Sequence, residues 1–313
     1  MHLRRIAQWV IMTRLGNPET RPRPTTQQVF SNAPVSLASQ VSLESAFFER
    51  VGLPNGTFKT TSANRLDDLN AAVLPYIAQL PDRPLKIMDV SISSGLSTRE
   101  WYEFLIENRI TFDMVGTDLT VYSSLVSLTP RLAVLVDRDR NILHVDAFGR
   151  GAPPRADGLL GIATGMIRMM FCAAMMVDRR LPPLQGRVRE GAKGHLLKCE
   201  PITLLTRGLS QLESLHVLEE DLLAAERADF KHAFHIVRAA NILNRSYFSE
   251  QVLEQIARKL RDRLQPNGLL IVCRTERNGR NNATLFQSCS QSGLRVLLRL
   301  GSGSETEDLF EAR

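Results

Sequence analysis

The sequence predicts a doubly wound α/β fold: a mostly parallel sheet with an antiparallel edge strand, N-terminal helices before it, and a central hairpin and helix inserted into it. Three observations predict this. A strand, loop, helix and strand follow one another from Leu85 to Asp118; a second series of short apolar runs with one amphipathic helix fills Ser214 to Leu300; and a stretch of different character, about 121–212, separates them. The composition, 43% hydrophobic and 23% charged over 313 residues, is that of a folded soluble chain rather than a disordered or multispanning one.

The first segment, residues 1–84, is read as helices and linker. Leu3, Ile6, Val10 and Leu15 share a helical face in a basic stretch, and Arg21-Pro22-Arg23-Pro24 then breaks any helix because proline removes a donor and restricts its predecessor. The apolar run Trp9 to Met12 is too short for a signal peptide, so a cytoplasmic location is expected. From about Ser62 to Gln79, Leu66, Leu69, Ala72, Val73 and Ile77 recur at helix spacing, with Pro81 and Pro84 closing the segment.

Residues 85–313 are read as the main domain. Leu85 to Val90 is a short apolar strand ending in the small-residue turn Ser91 to Gly95, and Ser97 to Leu105 has helix periodicity. Phe112 to Thr117 is a second buried strand that ends at Asp118, and two parallel strands require such a crossover. In the insertion, Leu132 to Val136 and Ile142 to Phe148 flank the charged turn Asp137 to Asn141 as a hairpin. Gly158 to Val177 is apolar, with Met166, Met169, Met170, Met175 and Met176 and the single charge Arg168. About 20 such residues reach across a bilayer. Three readings stay open for it: a buried or substrate-covering helix, an interfacial helix giving a peripheral membrane contact through 158–177, or a span, against which the mid-segment arginine weighs.

The second series begins with a strand at Ser214 to Leu218 leading into Glu219-Glu220-Asp221, then a strand at Phe234 to Arg238. A helix from Phe248 to Leu264 carries Val252, Ile256, Leu260 and Leu264 on one face. Pro266-Asn267-Gly268 turns into Leu269 to Cys273, apolar enough to be buried on both faces, and Ala283 to Phe286 with Leu294 to Leu300 form an antiparallel edge pair.

In an open α/β sheet, strand ends and helix N-termini converge where the strand order reverses, and small residues there let a ligand approach the backbone. Asp89-Val90-Ser91-Ile92-Ser93-Ser94-Gly95 is such a loop. It resembles motif I of the class I S-adenosylmethionine-dependent methyltransferases, with Asp89 at the acidic place and Ser91, Ser93 and Gly95 at the glycine places, two of them serine here. Asp118 follows Gly95 by 23 residues at a strand end, where a carboxylate accepts both ribose hydroxyls of an adenosine; that spacing suits this cofactor or NAD. The resemblance further implies that Asp221 meets the adenine amino group and that Val237 to Leu243, with Arg238 and Asn241, lines the donor and acceptor crevice. Leu264 to Leu270 resembles the family's turn into strand five, and Ser93-Ser94-Gly95 with Arg238 to Phe248 is similar in part to the chemotaxis receptor methyltransferases.

What the resemblance implies is a Rossmann-like fold, S-adenosyl-L-methionine as cofactor, and methyl transfer to an acceptor that the apolar insertion suggests is small, hydrophobic or lipid-like. Methyl displacement from a sulfonium needs alignment more than a catalytic triad, and no catalytic residue is assigned. Simpler roles stand beside these: a cap for Asp89, solvated charges for Asp118 and Asp221, structural hydrogen bonds for Arg238 and Asn241. An NAD-type oxidoreductase shares the βαβ unit and Asp118 but lacks glycine at Ser91 and Ser93; a non-catalytic membrane-associated binding module is the third reading.

The net charge of +6 allows attraction to polyanions, yet with 6% aromatics and no aromatic–arginine alternation no specific nucleic-acid partner is expected. Cys172, Cys199, Cys273 and Cys289 are scattered without histidine partners, so reduced thiols and no metal are expected. His144, His216 and His235 fall in strands, as structural histidines do.

Overall fold

A computed structural model of the chain describes residues 23–31, 36–54, 56–59, 61–81, 83–177, 197–289 and 293–310. The amphipathic stretch 3–15 and the first half of the Arg21–Pro24 linker lie outside them. In chain order the elements are helices α1 (Thr26–Phe30), α2 (Leu37–Phe48) and α3 (Asp67–Ala78), strand β1 (Leu85–Val90), helix α4 (Leu96–Glu107) and strand β2 (Phe112–Asp118). Strands β3 (Tyr122–Thr129), β4 (Leu132–Val136), β5 (Ile142–Ala147) and β6 (Arg150–Ala152) lead to helix α5 (Gly158–Val177) and strand β7 (Lys198–Thr203). Strands β8 (Leu215–Glu219) and β9 (Phe234–Ala240), helix α6 (Glu250–Asp262) and strands β10 (Leu264–Thr275), β11 (Asn281–Cys289) and β12 (Gly293–Leu300) complete the series.

The chain divides into two units: residues up to Thr61 with Tyr122–Leu204, and Ser62–Val121 with the chain from Leu205 onward. The division falls after Thr61 because α3 shares a core with the parallel sheet: Leu69, Val73 and Ile77 are buried with Leu85 and Ile87. The stretch 205–212 returns to the same core through Leu205 and Leu209.

In the second unit a seven-stranded sheet runs β12-β11-β10-β9-β1-β2-β8. Its pairs β8·β2, β2·β1, β1·β9 and β9·β10 are parallel, while β10·β11 and β11·β12 are antiparallel. Taken by sequence, the five parallel strands stand third, second, first, fourth, fifth, the doubly wound Rossmann-like order, and the reversal lies between β1 and β9. Helices cover both faces. Trp101 and Leu105 of α4 join α3 on one, and Leu253, Ile256 and Leu260 of α6 pack with Val237, Leu270 and Phe230 on the other. The Pro266-Asn267-Gly268 turn expected before a separate strand is a bulge inside β10: the register breaks between Leu264 and Leu269, Pro266 has no N–H to give the ladder, and Asn267 takes φ +62°.

The first unit is a five-stranded antiparallel sheet, β6-β5-β4-β3-β7. The expected hairpin is β4–β5; β3, β6 and β7 extend it on both sides. Helices α1 and α2 cover one face, burying Val29, Phe47 and Phe48 against Leu135 and Leu143. Helix α1 starts on a reciprocal cap between Thr25 and Gln28, and the Thr26 N–H donates to the Asp146 carboxylate (2.9 Å). Across the sheet, Phe171 and Met175 of α5 pack with Val126, Val134 and Val145.

Candidate functional site

Strand β1 carries Asp89 and Val90 to the carboxyl edge of the parallel sheet, level with Thr117 of β2 and Ala239 of β9. The chain then doubles back. The Ile92 N–H donates to the Thr117 carbonyl (2.9 Å), and Ser91, Ser93 and Gly95 take φ of +58°, +60° and +80°. For an L-residue the left-handed region costs about 1–2 kcal/mol. Alternating glycines would serve this backbone without strain, and two serines hold it instead. Gly95 is the one glycine of the three, and it has a close neighbour: a Cβ there would lie 2.2 Å from Leu209 Cδ2, so the Leu209 side chain would have to move. Helix α4 opens directly after it.

Asp118 fastens this loop from the neighbouring strand. Its Oδ2 accepts the Ser93 N–H (2.7 Å) and its Oδ1 the Thr120 N–H (3.2 Å), with the side chain buried. Beside it in register stands Glu219 of β8, which accepts the Val121 N–H (2.9 Å). Ser91, Ser93, Gly95 and Asp118, chosen on motif and spacing, thus meet at one place. Asp221 sits two residues beyond β8, exposed, where its Oδ1 accepts the Leu223 N–H (2.8 Å) in a tight turn.

Asp89 and Arg238, expected to face a ligand, face each other. Arg238 Nε and Nη2 donate to Oδ1 (2.9 Å) and Oδ2 (2.6 Å) of Asp89, and Thr98 Oγ1 donates to Oδ2 (2.7 Å). Arg238 Nη2 also reaches the Ser97 carbonyl (3.1 Å), and the guanidinium lies over the Trp101 ring at 3.9 Å. Arg238 is 1% and Asp89 3% exposed. Such a bidentate, stacked, fully desolvated pair braces the root of the loop against α4, and neither side chain reaches outward. Asn241 is also a tie: with φ +62° it accepts the Thr275 N–H on Oδ1 (2.7 Å), and its own N–H donates to the Cys273 carbonyl (2.7 Å), locking the ends of β9 and β10 together.

Several polar residues at this edge escaped the sequence reading. Arg65, just before α3, donates from Nε to Ser97 Oγ (3.1 Å), and burial, then the Arg238 guanidinium, pull its pKa down. Glu100 accepts the Asn64 N–H (2.7 Å), and burial pushes its carboxyl up. Asn281 of β11 donates to the Arg65 carbonyl (2.6 Å) and accepts from Thr275 Oγ1 (2.8 Å), extending the Asn241 tie to a third strand. Burial also pushes the Cys273 thiol up to about 12, which leaves it inert at neutral pH. None of these sits in a motif; they come together only because α3, α4 and β11 end at one edge. Among the described residues no group of three His, Cys, Asp or Glu is placed to hold a metal.

No protein-family model and no curated protein sequence matches the chain. Among solved structures, the chain is similar to the C-methyltransferase (CMeT) domain of the citrinin polyketide synthase, at 13% identity and TM-score 0.33 over 66% of this chain and 34% of that one. A sarcosine dimethylglycine methyltransferase from Galdieria sulphuraria aligns at 8% identity and TM-score 0.30 over 67% and 45%. Phosphoethanolamine N-methyltransferase 2 of Haemonchus contortus, in complex with S-adenosyl-L-methionine, aligns at 10% identity and TM-score 0.28 over 66% and 28%. The chain therefore spans less than half the length of these structures. The fold assignment rests on the strand order and register above.

Proposed function

We propose that the second unit binds S-adenosyl-L-methionine at the carboxyl edge of β1 and β2 and transfers its methyl group to an acceptor. The observation that carries this is the loop itself: the backbone is left-handed at each of the three alternating positions where the resembled motif has glycine, and Asp118 is bonded to its Ser93 amide. Serine is a poor choice for that conformation on stability grounds alone. The residues present suit the nucleoside end of the cofactor: Asp118 for the ribose hydroxyls, and the loop from Ser91 to Gly95 for close approach of the backbone. Asp89 and Arg238 brace the loop from below, and the resemblance would give the exposed Asp221, beyond β8, the adenine amino group.

The cofactor supplies an electrophilic methyl on a sulfonium. The part left to the chain is orientation, worth roughly 7–11 kcal/mol in favourable cases, and exclusion of water. The ties from Asn241 through Thr275 to Asn281 hold the strand ends rigid on the side where an acceptor would lie. The finer reading is a small or hydrophobic acceptor, for which the support is the apolar composition of the inserted segment 158–177. The four free thiols suit a reducing, cytoplasmic setting.

Calorimetric titration with S-adenosylhomocysteine, with NADH as the competing ligand, tests the proposal. Binding of the first and not the second is expected, and Asp118→Ala is expected to weaken it by about 1.5–3 kcal/mol, the worth of hydrogen bonds to a charged acceptor. Binding of NADH alone would transfer the site to the oxidoreductases.

A further inference from the structure

Helix α5 turns its apolar side outward. Leu159, Ile162, Met166, Met169 and Met176 are 86%, 63%, 64%, 71% and 75% exposed, and Met170 is partly exposed beside them. At about 100° per residue these six cover roughly a third of the circumference, and no polar or charged side chain falls among them. The polar groups of the helix point elsewhere: Arg168 Nη1 donates to the Pro154 carbonyl (3.2 Å) and Thr164 Oγ1 to the Leu160 carbonyl (2.9 Å). The opposite side, Phe171 and Met175, is the side buried on the sheet.

This geometry sets aside two readings of 158–177, the buried core helix and the span. A buried core helix would not leave these side chains in water. A span would need lipid all round, whereas this helix packs Phe171 and Met175 onto an antiparallel sheet whose strands β6 and β7 precede and follow it. We infer that α5 is a monotopic membrane-docking helix, which lays its outer face into the surface of a bilayer containing anionic phospholipid while the sheet stays in water.

Two observations select the bilayer over a second copy of the chain. The first is composition: the face is made of flexible aliphatic and thioether side chains alone. It also lacks the aromatic and hydrogen-bonding groups that give a protein interface its specificity, and fluid hydrocarbon requires neither. The second is charge: at exposed positions among its described residues this unit carries six basic residues (Arg131, Arg138, Arg140, Arg150, Arg155 and Lys198) against two acidic ones (Asp139 and Asp157). That excess opposes a like-charged copy and draws the unit toward phosphatidylglycerol-type headgroups.

The test is sedimentation of the full chain with vesicles of phosphatidylcholine, alone or with about one-third phosphatidylglycerol, at low and high salt. Binding to the anionic vesicles, weakened by salt, is expected, and the double variant Met166→Glu/Met169→Glu is expected to lose about tenfold or more in partition while keeping its far-ultraviolet circular dichroism. A second readout does not depend on that variant. Cys172 is exposed on α5, so in a Cys199→Ser/Cys289→Ser background a bimane on Cys172 should shift to the blue when anionic vesicles are added. Absence of sedimentation with an unshifted label would overturn the inference. So would light scattering that shows a dimer which Met169→Glu dissociates, since a second copy would then be the occupant. Neither result touches the cofactor titration, which reads the other unit.

Discussion

Helices α6 and α5 each lie on a sheet and present opposite faces to water. In α6, Leu253, Ile256, Ala257 and Leu260 are buried, and the exposed positions are polar or charged, such as Glu250, Arg258 and Arg261. In α5 the buried positions are few, Thr164, Phe171 and Met175, and the large exposed ones are leucine, isoleucine and methionine. The first arrangement is what water dictates for a helix whose only business is the core. Since a solvated apolar face contributes nothing to folding, the second arrangement points to a role outside the fold. The carboxyl edge of the parallel sheet shows the converse, charged groups drawn inside and matched to one another, as Asp89 is to Arg238.

The largest effect should come from that pair. Arg238→Ala leaves the Asp89 carboxylate buried without its partner and is expected to cost about 3–5 kcal/mol in urea unfolding. If the loss were small, the two side chains would be solvated, and the contrast between a sealed charged edge and an open apolar face would fail. Next comes a direct comparison of the helices: Leu260→Ala in α6 should cost about 2–5 kcal/mol, and Met169→Ala in α5 should stay within about 0.5 kcal/mol. Equal losses would mean that the outer face of α5 is covered.

The smallest effect is a pH dependence at the edge. Burial raises the Glu100 carboxyl in the folded state, so this group favours folding only while protonated: its contribution is present below the unfolded value near 4.3 and lost as pH rises through the folded value. Glu100→Gln should therefore be slightly more stable than the parent at pH 7, with the difference vanishing on acidification toward pH 4. A difference that grows with acid would show that Glu100 is stabilised as an anion.

Local chemistry made the parallel unit legible. The apolar runs, the small-residue turn after Val90 and the strand-end position of Asp118 depend on residues close in sequence, and all three are found where they were expected. The Arg238–Asp89 pair was not legible, because 149 residues separate its members and nothing in either segment marks the other. Strands β3 and β7 were missed for a related reason. They pair with each other across the whole hairpin and helix, Tyr122 opposite Thr203, and their serines, Pro201 and Glu200 dilute the alternation that betrays a strand. For α5 the length and apolar composition pointed to a helix, but a uniformly apolar segment does not say which side meets the sheet.

The left-handed serines have a consequence for encounter rather than for stability. Ser91 and Ser93 take left-handed φ and Asp118 accepts the Ser93 N–H, so the chain's own bonds hold the turn at which we propose the cofactor binds. The entropy of ordering that turn then belongs to the folding reaction, and a visiting molecule need only lose its own freedom. Recognition at this edge should resemble docking onto a rigid mould, with a fast on-rate and little backbone rearrangement.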